Sequence, residues 1–242
     1  MLGGEDSFYQ PMIQGPKDNR PLPLLFYFAL SADESLNTPP INEPARLLKD
    51  HSVRVVSISL PFHDDKHTPQ EAMIAWGKEI LKGKDPLKDF LKAAKKTLTD
   101  LLEKNLVDPE KIAVSGVSRG ALAAGKFFSL DSRIQSFLGW APLIDFSKLS
   151  ESQELEPYSL FENLDSFVGR KVKFLIGNHD TRVHTDITYA FVQKLVEASL
   201  EKGVKSPPVE LALKPSIGYK GHGSSPETFQ EGVDWVLKQF NL

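Results

Sequence analysis

Residues 111–126 read KIAVSGVSRGALAAGK, and no other stretch restricts the fold of this chain as strongly. Ile112-Ala113-Val114 is an apolar run of the kind that forms a buried strand. Gly116-Val117-Ser118-Arg119-Gly120 fits G-x-S-x-G, and Ala121-Leu122-Ala123-Ala124 is a run of helix formers. A motif this short arises by chance in many chains. The order strand, sharp turn, helix is what gives it a mechanism. At such a turn the serine backbone is strained, and Gly116 and Gly120 lack the Cβ atoms that would collide there. Ser118 is therefore expected at the carboxyl edge of a sheet. The N-terminus of the next helix, which favours developing negative charge, would point at its hydroxyl.

The rest of the chain repeats the same kind of unit. Residues 22–30, LPLLFYFAL, are continuously apolar, as expected of a strand covered on both faces. Residues 53–60, 133–140, 172–176 and 209–213 read as further strands. Thr68-Pro69, Asp85-Pro86 and Ser225-Pro226 each pair an N-cap residue with a proline at the first helical position. The helix after Asp85 places Leu87, Phe90, Leu91, Ala94, Leu98, Leu101 and Leu102 at three-to-four spacing. Helices are also expected over residues 44–49 and 186–202. Residues 1–21 read as loop with one short edge strand near 9–13, and residues 31–35 as a polar loop. Strands alternating with helices predict an α/β fold: a mostly parallel central sheet with helices on both faces, a three-layer sandwich. The whole chain, 1–242, is expected to form one domain. Residues 141–170, polar and irregular, are long for a connection and form a candidate lid or cap.

Composition narrows the functions on offer. The chain is 40% hydrophobic and 25% charged, with net charge -3 and a pI of about 6.1. That balance gives no reason to expect nucleic acid or an anionic membrane as partner. With no cysteine, disulfides, thiolate nucleophiles and thiolate metal sites are excluded. No apolar run approaches the ~20 residues of a membrane span. The first ten residues, MLGGEDSFYQ, lack the basic and apolar regions of a signal peptide, so the expected location is cytoplasmic. The sequence does not indicate an oligomeric state.

In a parallel sheet the site lies outside the carboxyl ends of the strands. A serine nucleophile needs an acid and then a histidine downstream in this type of fold. Asp180 follows the strand at 172–176 and is the first candidate acid; Asp145, after the preceding strand, is its rival. His222, between glycines in the loop before the last helix, is the candidate base. His63 and His67 precede Ser118, the wrong chain order, and His51 precedes a strand. His179 and His184 flank the acid. His63, Asp64, Asp65 and His67 carry metal-ligating groups but no spacing that defines a site, so no metal and no cofactor is expected. Two backbone N–H groups are needed to hold an oxyanion. One would belong to Arg119. The other would come from the loop after residues 22–28, near Ala29, Leu30 or Ser31, with Leu30 preferred.

Four segments resemble the α/β-hydrolase superfamily, and within it the prolyl-oligopeptidase-like and dienelactone-hydrolase-like esterases. They are Pro61-Phe62-His63, Gly116-Val117-Ser118-Arg119-Gly120, the run from Gly177 to Val183, and Gly221-His222-Gly223. The third is similar to that group's G-x-x-D-x-x-V, whose aspartate is the triad acid, and so points to Asp180. The chain departs from the pattern in three ways. Phe28-Ala29-Leu30-Ser31 stands where His-Gly is usual, and Asp64 where a glycine is usual. The cysteine of dienelactone hydrolases proper is absent. The resemblance implies a serine hydrolase, carboxylesterase-like, that cleaves a small-molecule carboxylic ester or thioester through an acyl-enzyme on Ser118. The alternatives are a short-peptide serine peptidase and a non-catalytic binding protein on the same fold.

Overall fold

The computed structural model describes residues 8–64, 66–149 and 158–242. Among the described residues seven strands form one sheet: β1 (Met12–Gln14), β2 (Leu22–Phe28), β3 (Arg54–Ser57), β4 (Val107–Val117), β5 (Ser136–Trp140), β6 (Lys171–Gly177) and β7 (Val209–Lys214). Their order is β1-β3-β2-β4-β5-β6-β7. Only the β1–β3 pair is antiparallel; the rest run parallel. The α-helices are α1 (Ala32–Asn37), α2 (Glu43–Leu47), α3 (Pro69–Leu81), α4 (Lys88–Glu103), α5 (Arg119–Leu130), α6 (Thr185–Glu201) and α7 (Pro226–Gln239).

The two-residue period of a strand explains why residues 22–28 are apolar without a break. Leu24, Phe26 and Phe28 face one way and join Trp76, Phe90, Phe127, Phe137 and Phe191 in a core beneath α3, α4, α5 and α6. Leu25 and Tyr27 face the other way, into a second core with Leu36, Ala45, Trp140, Phe229 and Val233, from α1, α2, β5 and α7. The three-layer expectation is met.

Several local expectations are corrected. Residues 31–35 are not a loop: Ser31 caps α1 through a capping box with Glu34. That cap satisfies two helix-end donors, enough to hold a six-residue helix too short for periodicity to reveal. The edge strand lies at Met12–Gln14, one side of the 9–13 estimate, because it pairs with Val55, Val56 and Ser57. Strand β4 starts at Val107 and passes Pro109, where its pairing with β2 shifts register between Leu22 and Leu24; an irregularity of this kind accommodates a proline in a strand. The candidate lid segment contains further regular structure. Leu160–Phe167 forms a 3-10 helix, and Leu160 and Phe167 are buried in the core that contains α5 and α6. Residues 150–157 lie outside the described residues.

Candidate active site

Every predicted site residue follows a strand at the carboxyl edge of the sheet. Ser118 follows β4 at φ 55, ψ -119, a conformation non-glycine residues adopt only when their surroundings impose it. Those surroundings are explicit. The Ser118 N–H donates to Trp140 O at 3.0 Å, and Ser118 O accepts from Ala121 N at 2.9 Å and Leu143 N at 3.1 Å. A Cβ on Gly116 would sit 2.3 Å from Gly120 C, and one on Gly120 would sit 2.0 Å from Phe28 O. The two motif glycines thus let the start of α5 press against the ends of β4 and β2.

Asp180 and His222 complete the cluster. Ser118 Oγ lies 2.9 Å from His222 Nε2, and His222 Nδ1 lies 2.7 Å from Asp180 Oδ2. The other carboxylate oxygen accepts from Arg182 N at 2.9 Å and Val183 N at 3.0 Å. A carboxylate only accepts, so Nδ1 carries the proton and Nε2 is left to accept the Ser118 hydroxyl. Burial alone would raise the Asp180 carboxyl. The His222 hydrogen bond and charge, with the Val183 and Arg182 amides, outweigh burial and hold the carboxyl below its ordinary range. The loops bearing acid and base are tied together: Thr181 N donates to Lys220 O at 2.9 Å. Gly221, at φ 75, lets its backbone approach His179 O, which a Cβ would meet at 2.3 Å.

Asp145 takes no part in this cluster. Its Oδ1 accepts from Ser147 N at 3.0 Å and Ser147 Oγ at 2.7 Å, capping a short 3-10 helix. The remaining histidines are otherwise engaged or peripheral: His67 pairs with Asp64 at 2.8 Å, and His184 precedes α6. Asp65 lies outside the described residues. Among the described residues no group of three or more acidic or imidazole side chains is placed to hold a metal ion.

Arg119 opens α5 directly after Ser118. The expectation for Leu30 meets a different arrangement. Its N–H donates to Ser35 Oγ at 3.2 Å, and that oxygen also accepts from Ala29 N at 3.2 Å. The Ser31 N–H donates to Glu34 Oε2 and the Ala32 N–H to Ser59 Oγ. The unexpected helix α1 is the cause: its first turn brings Ser35 and Glu34 onto the loop amides.

Ser118 and His222 open onto a cavity of about 400 Å³ walled by Leu30, Ile41, Arg182, Ile217 and Phe229, a volume in the range of small-molecule sites. Ala141 is the lining residue from the candidate lid segment among the described residues. A larger groove, about 900 Å³, lies between residues 8–13 and α4 and contains none of these groups.

One side chain escaped the sequence reading. The Arg119 guanidinium is buried and donates to His63 Nε2 at 3.1 Å and to Pro69 O. In the sequence His63 stands in the wrong chain order for a base, carries a metal-ligating group and belongs to the Pro61-Phe62-His63 segment, none of which points to Arg119. Nothing in one sequence signals a contact across 56 positions.

No family model and no curated protein matches the chain. Solved structures do. TT1662 from Thermus thermophilus is similar with a TM-score of 0.69 at 15% identity, over 97% of this chain and 94% of that one. The Pyrococcus furiosus esterase Pf2001 is similar with a TM-score of 0.64 at 18% identity, over 96% and 92%. Est1E from Butyrivibrio proteoclasticus is similar with a TM-score of 0.61 at 14% identity, over 96% and 94%. With the sheet order above, these likenesses define the class: the chain has the α/β-hydrolase fold.

Proposed function

We propose that the chain is a serine hydrolase that cleaves a carboxylic ester or thioester through an acyl-enzyme on Ser118, with residues 1–242 acting as one hydrolase domain. The observation that carries this reading is the relay of hydrogen bonds from Ser118 Oγ to His222 Nε2 and from His222 Nδ1 to Asp180 Oδ2, at 2.9 and 2.7 Å. It is set at a strained turn that faces a cavity.

His222 takes the Ser118 proton as Oγ attacks the carbonyl carbon. It then gives that proton to the leaving oxygen or sulfur as the acyl-enzyme forms. Water, deprotonated by the same imidazole, hydrolyses the acyl-enzyme and returns the proton to Ser118. Asp180 fixes the tautomer and stabilises the imidazolium. The Arg119 N–H is the first oxyanion donor. Leu30 N–H is the second, and it leaves Ser35 Oγ when the oxyanion forms. Its present bond is long and shared, whereas a bond to an anionic oxygen is shorter and about twice as strong.

A fluorophosphonate probe tests the nucleophile, and p-nitrophenyl esters of graded chain length test turnover, with Ser118→Ala as control. Labelling of Ser118 together with ester turnover supports the reading. Absence of both from folded protein refutes it. A non-catalytic binding protein is the second reading, favoured by the engagement of the Leu30 N–H with Ser35; a ligand bound in the cavity, with no labelling and no turnover across the ester panel, would support it.

A further inference from the structure

The buried contact between Arg119 and His63 has a consequence for the oxyanion site. Arg119 contributes its backbone N–H to that site in the function proposed above. The direction of this N–H depends on the turn at Ser118, and a backbone at φ 55, ψ -119 relaxes unless contacts on all sides oppose it. On the sheet side the opposing contacts are Trp140 O and the Gly116–Gly120 approach. On the far side the Arg119 guanidinium is bound by His63 Nε2 and Pro69 O.

His63 is itself fixed. Its Nδ1 lies 2.9 Å from Pro61 O, which also accepts from Trp76 Nε1 at 2.9 Å. Trp76 is fully buried and stacks on Phe146 with ring centroids 6.1 Å apart. Guanidinium only donates, so Nε2 must accept and Nδ1 must carry the proton. His63 is therefore neutral in this arrangement.

We infer that His63 is a positioning residue: through the Arg119 guanidinium it fixes the backbone N–H that receives the oxyanion, so that losing either partner slows acylation without weakening substrate binding. This rests on the hydrolase reading. Burial, and then the Arg119 charge, push His63 down to about 4, opposed by its hydrogen bond to Pro61 O and by Glu34. Arg119 on α5 and Glu34 on α1 are the charged groups that act on it. On its own loop Asp64 and His67 pair with each other. The contact thus persists throughout the neutral range.

The test measures kcat, KM and fluorophosphonate labelling rate for His63→Leu, Arg119→Met, the double variant and His63→Gln. The wild type serves as reference, and folding is followed by circular dichroism. Displacement of a positioned group by about 1 Å can cost on the order of 100-fold. We expect His63→Leu and Arg119→Met each to lose about 10- to 100-fold in kcat with KM nearly unchanged. The double variant should be no worse than either single, as for two residues acting through one contact. His63→Gln, whose amide oxygen accepts from Arg119, should recover most of the rate. An unchanged kcat in folded His63→Leu, or additive losses, would overturn the inference.

Nitrogen-15 NMR of the histidine rings judges the contact without activity or variant. A protonated Nδ1 and accepting Nε2 on His63 support it, and the opposite tautomer overturns it. Wild-type protein that neither labels nor turns over refutes the hydrolase reading separately, and with it the oxyanion role of the pair.

Discussion

Acidification should destabilise this protein through one identifiable imidazole. His63 is 5% exposed, and its pKa is lowered from 6.5 to about 4 by burial and then by the Arg119 charge. The folded state therefore resists protonation that the unfolded chain accepts. Above 6.5 both states are neutral and the group contributes nothing to the pH dependence. As pH falls from 6.5 towards 4, the unfolded chain gains a proton that the folded chain refuses, and stability falls. Below 4 both are protonated and the loss stops growing. A gap of this size corresponds to about 3 kcal/mol in full, of which about 2 kcal/mol falls between pH 7 and pH 5.

His63→Gln removes the titration while retaining an acceptor for Arg119 and a donor for Pro61. Urea unfolding of the two proteins at both pH values isolates the effect, because every other titrating group is common to them. The wild type should lose about 2 kcal/mol more than the variant, which for a chain of this size is a difference of about 4–8 °C in Tm. If the two proteins lose stability in parallel from pH 7 to pH 5, His63 is not a buried neutral imidazole and the reasoning fails.

Three further outcomes follow from the site. Ser118→Gly should abolish ester hydrolysis yet raise the thermal midpoint, since glycine relieves strain of about 1–3 kcal/mol at φ 55 while giving back under 1 kcal/mol in unfolded-chain entropy; a lower midpoint would show that the turn is not strained. Asp180→Asn should reduce kcat by on the order of 10⁴-fold by favouring the wrong imidazole tautomer, whereas Asp145→Asn, whose carboxylate accepts from Ser147 rather than from His222, should leave it nearly intact; the reverse order would reassign the acid. His222→Ala should abolish ester hydrolysis because the Ser118 proton then loses its acceptor at 2.9 Å; turnover retained in the folded variant would mean that another group is the base.

The sheet was legible where burial dictates composition. Residues 22–28 lie between two cores, so both faces must be apolar and the run is unbroken. The turn at Ser118 was legible because its steric demand leaves glycine alone at positions 116 and 120. Helix α1 was missed although Ser31-Ala32-Asp33-Glu34 spells a capping box; six residues show no periodicity, and the cap was the only local signal. That omission carried over to the site, because α1 places Ser35 Oγ against the amides from which the second oxyanion donor was expected. Strand ends alone leave Asp180 and Asp145 both open, since both follow strands at the same edge of the sheet, and only the likeness of residues 177–183 to G-x-x-D-x-x-V prefers Asp180. What separates them is which loop reaches His222, and the Thr181–Lys220 bond and the bare backbone of Gly221 determine that.

The turn at Ser118 should also make the site sensitive to distant substitutions. No single neighbour holds the strained serine. Trp140 O from β5, Leu143 N from the loop beyond it, Phe28 O at the end of β2 and the His63–Arg119 contact each close one direction of escape. Relaxation by any of these routes rotates the Arg119 N–H and moves Oγ relative to His222 Nε2. Strain of about 1–3 kcal/mol is a sizeable fraction of a domain's 5–15 kcal/mol stability. The turn is therefore poised to relax locally before the sheet unfolds. Substitutions that weaken one restraint, such as a side chain at Gly120 that forces α5 away from Phe28 O, should lower kcat under conditions where circular dichroism still reports a folded chain. Loss of activity and loss of fold would coincide only if the turn were held by the core as a whole, and the separate origins of its restraints argue against that.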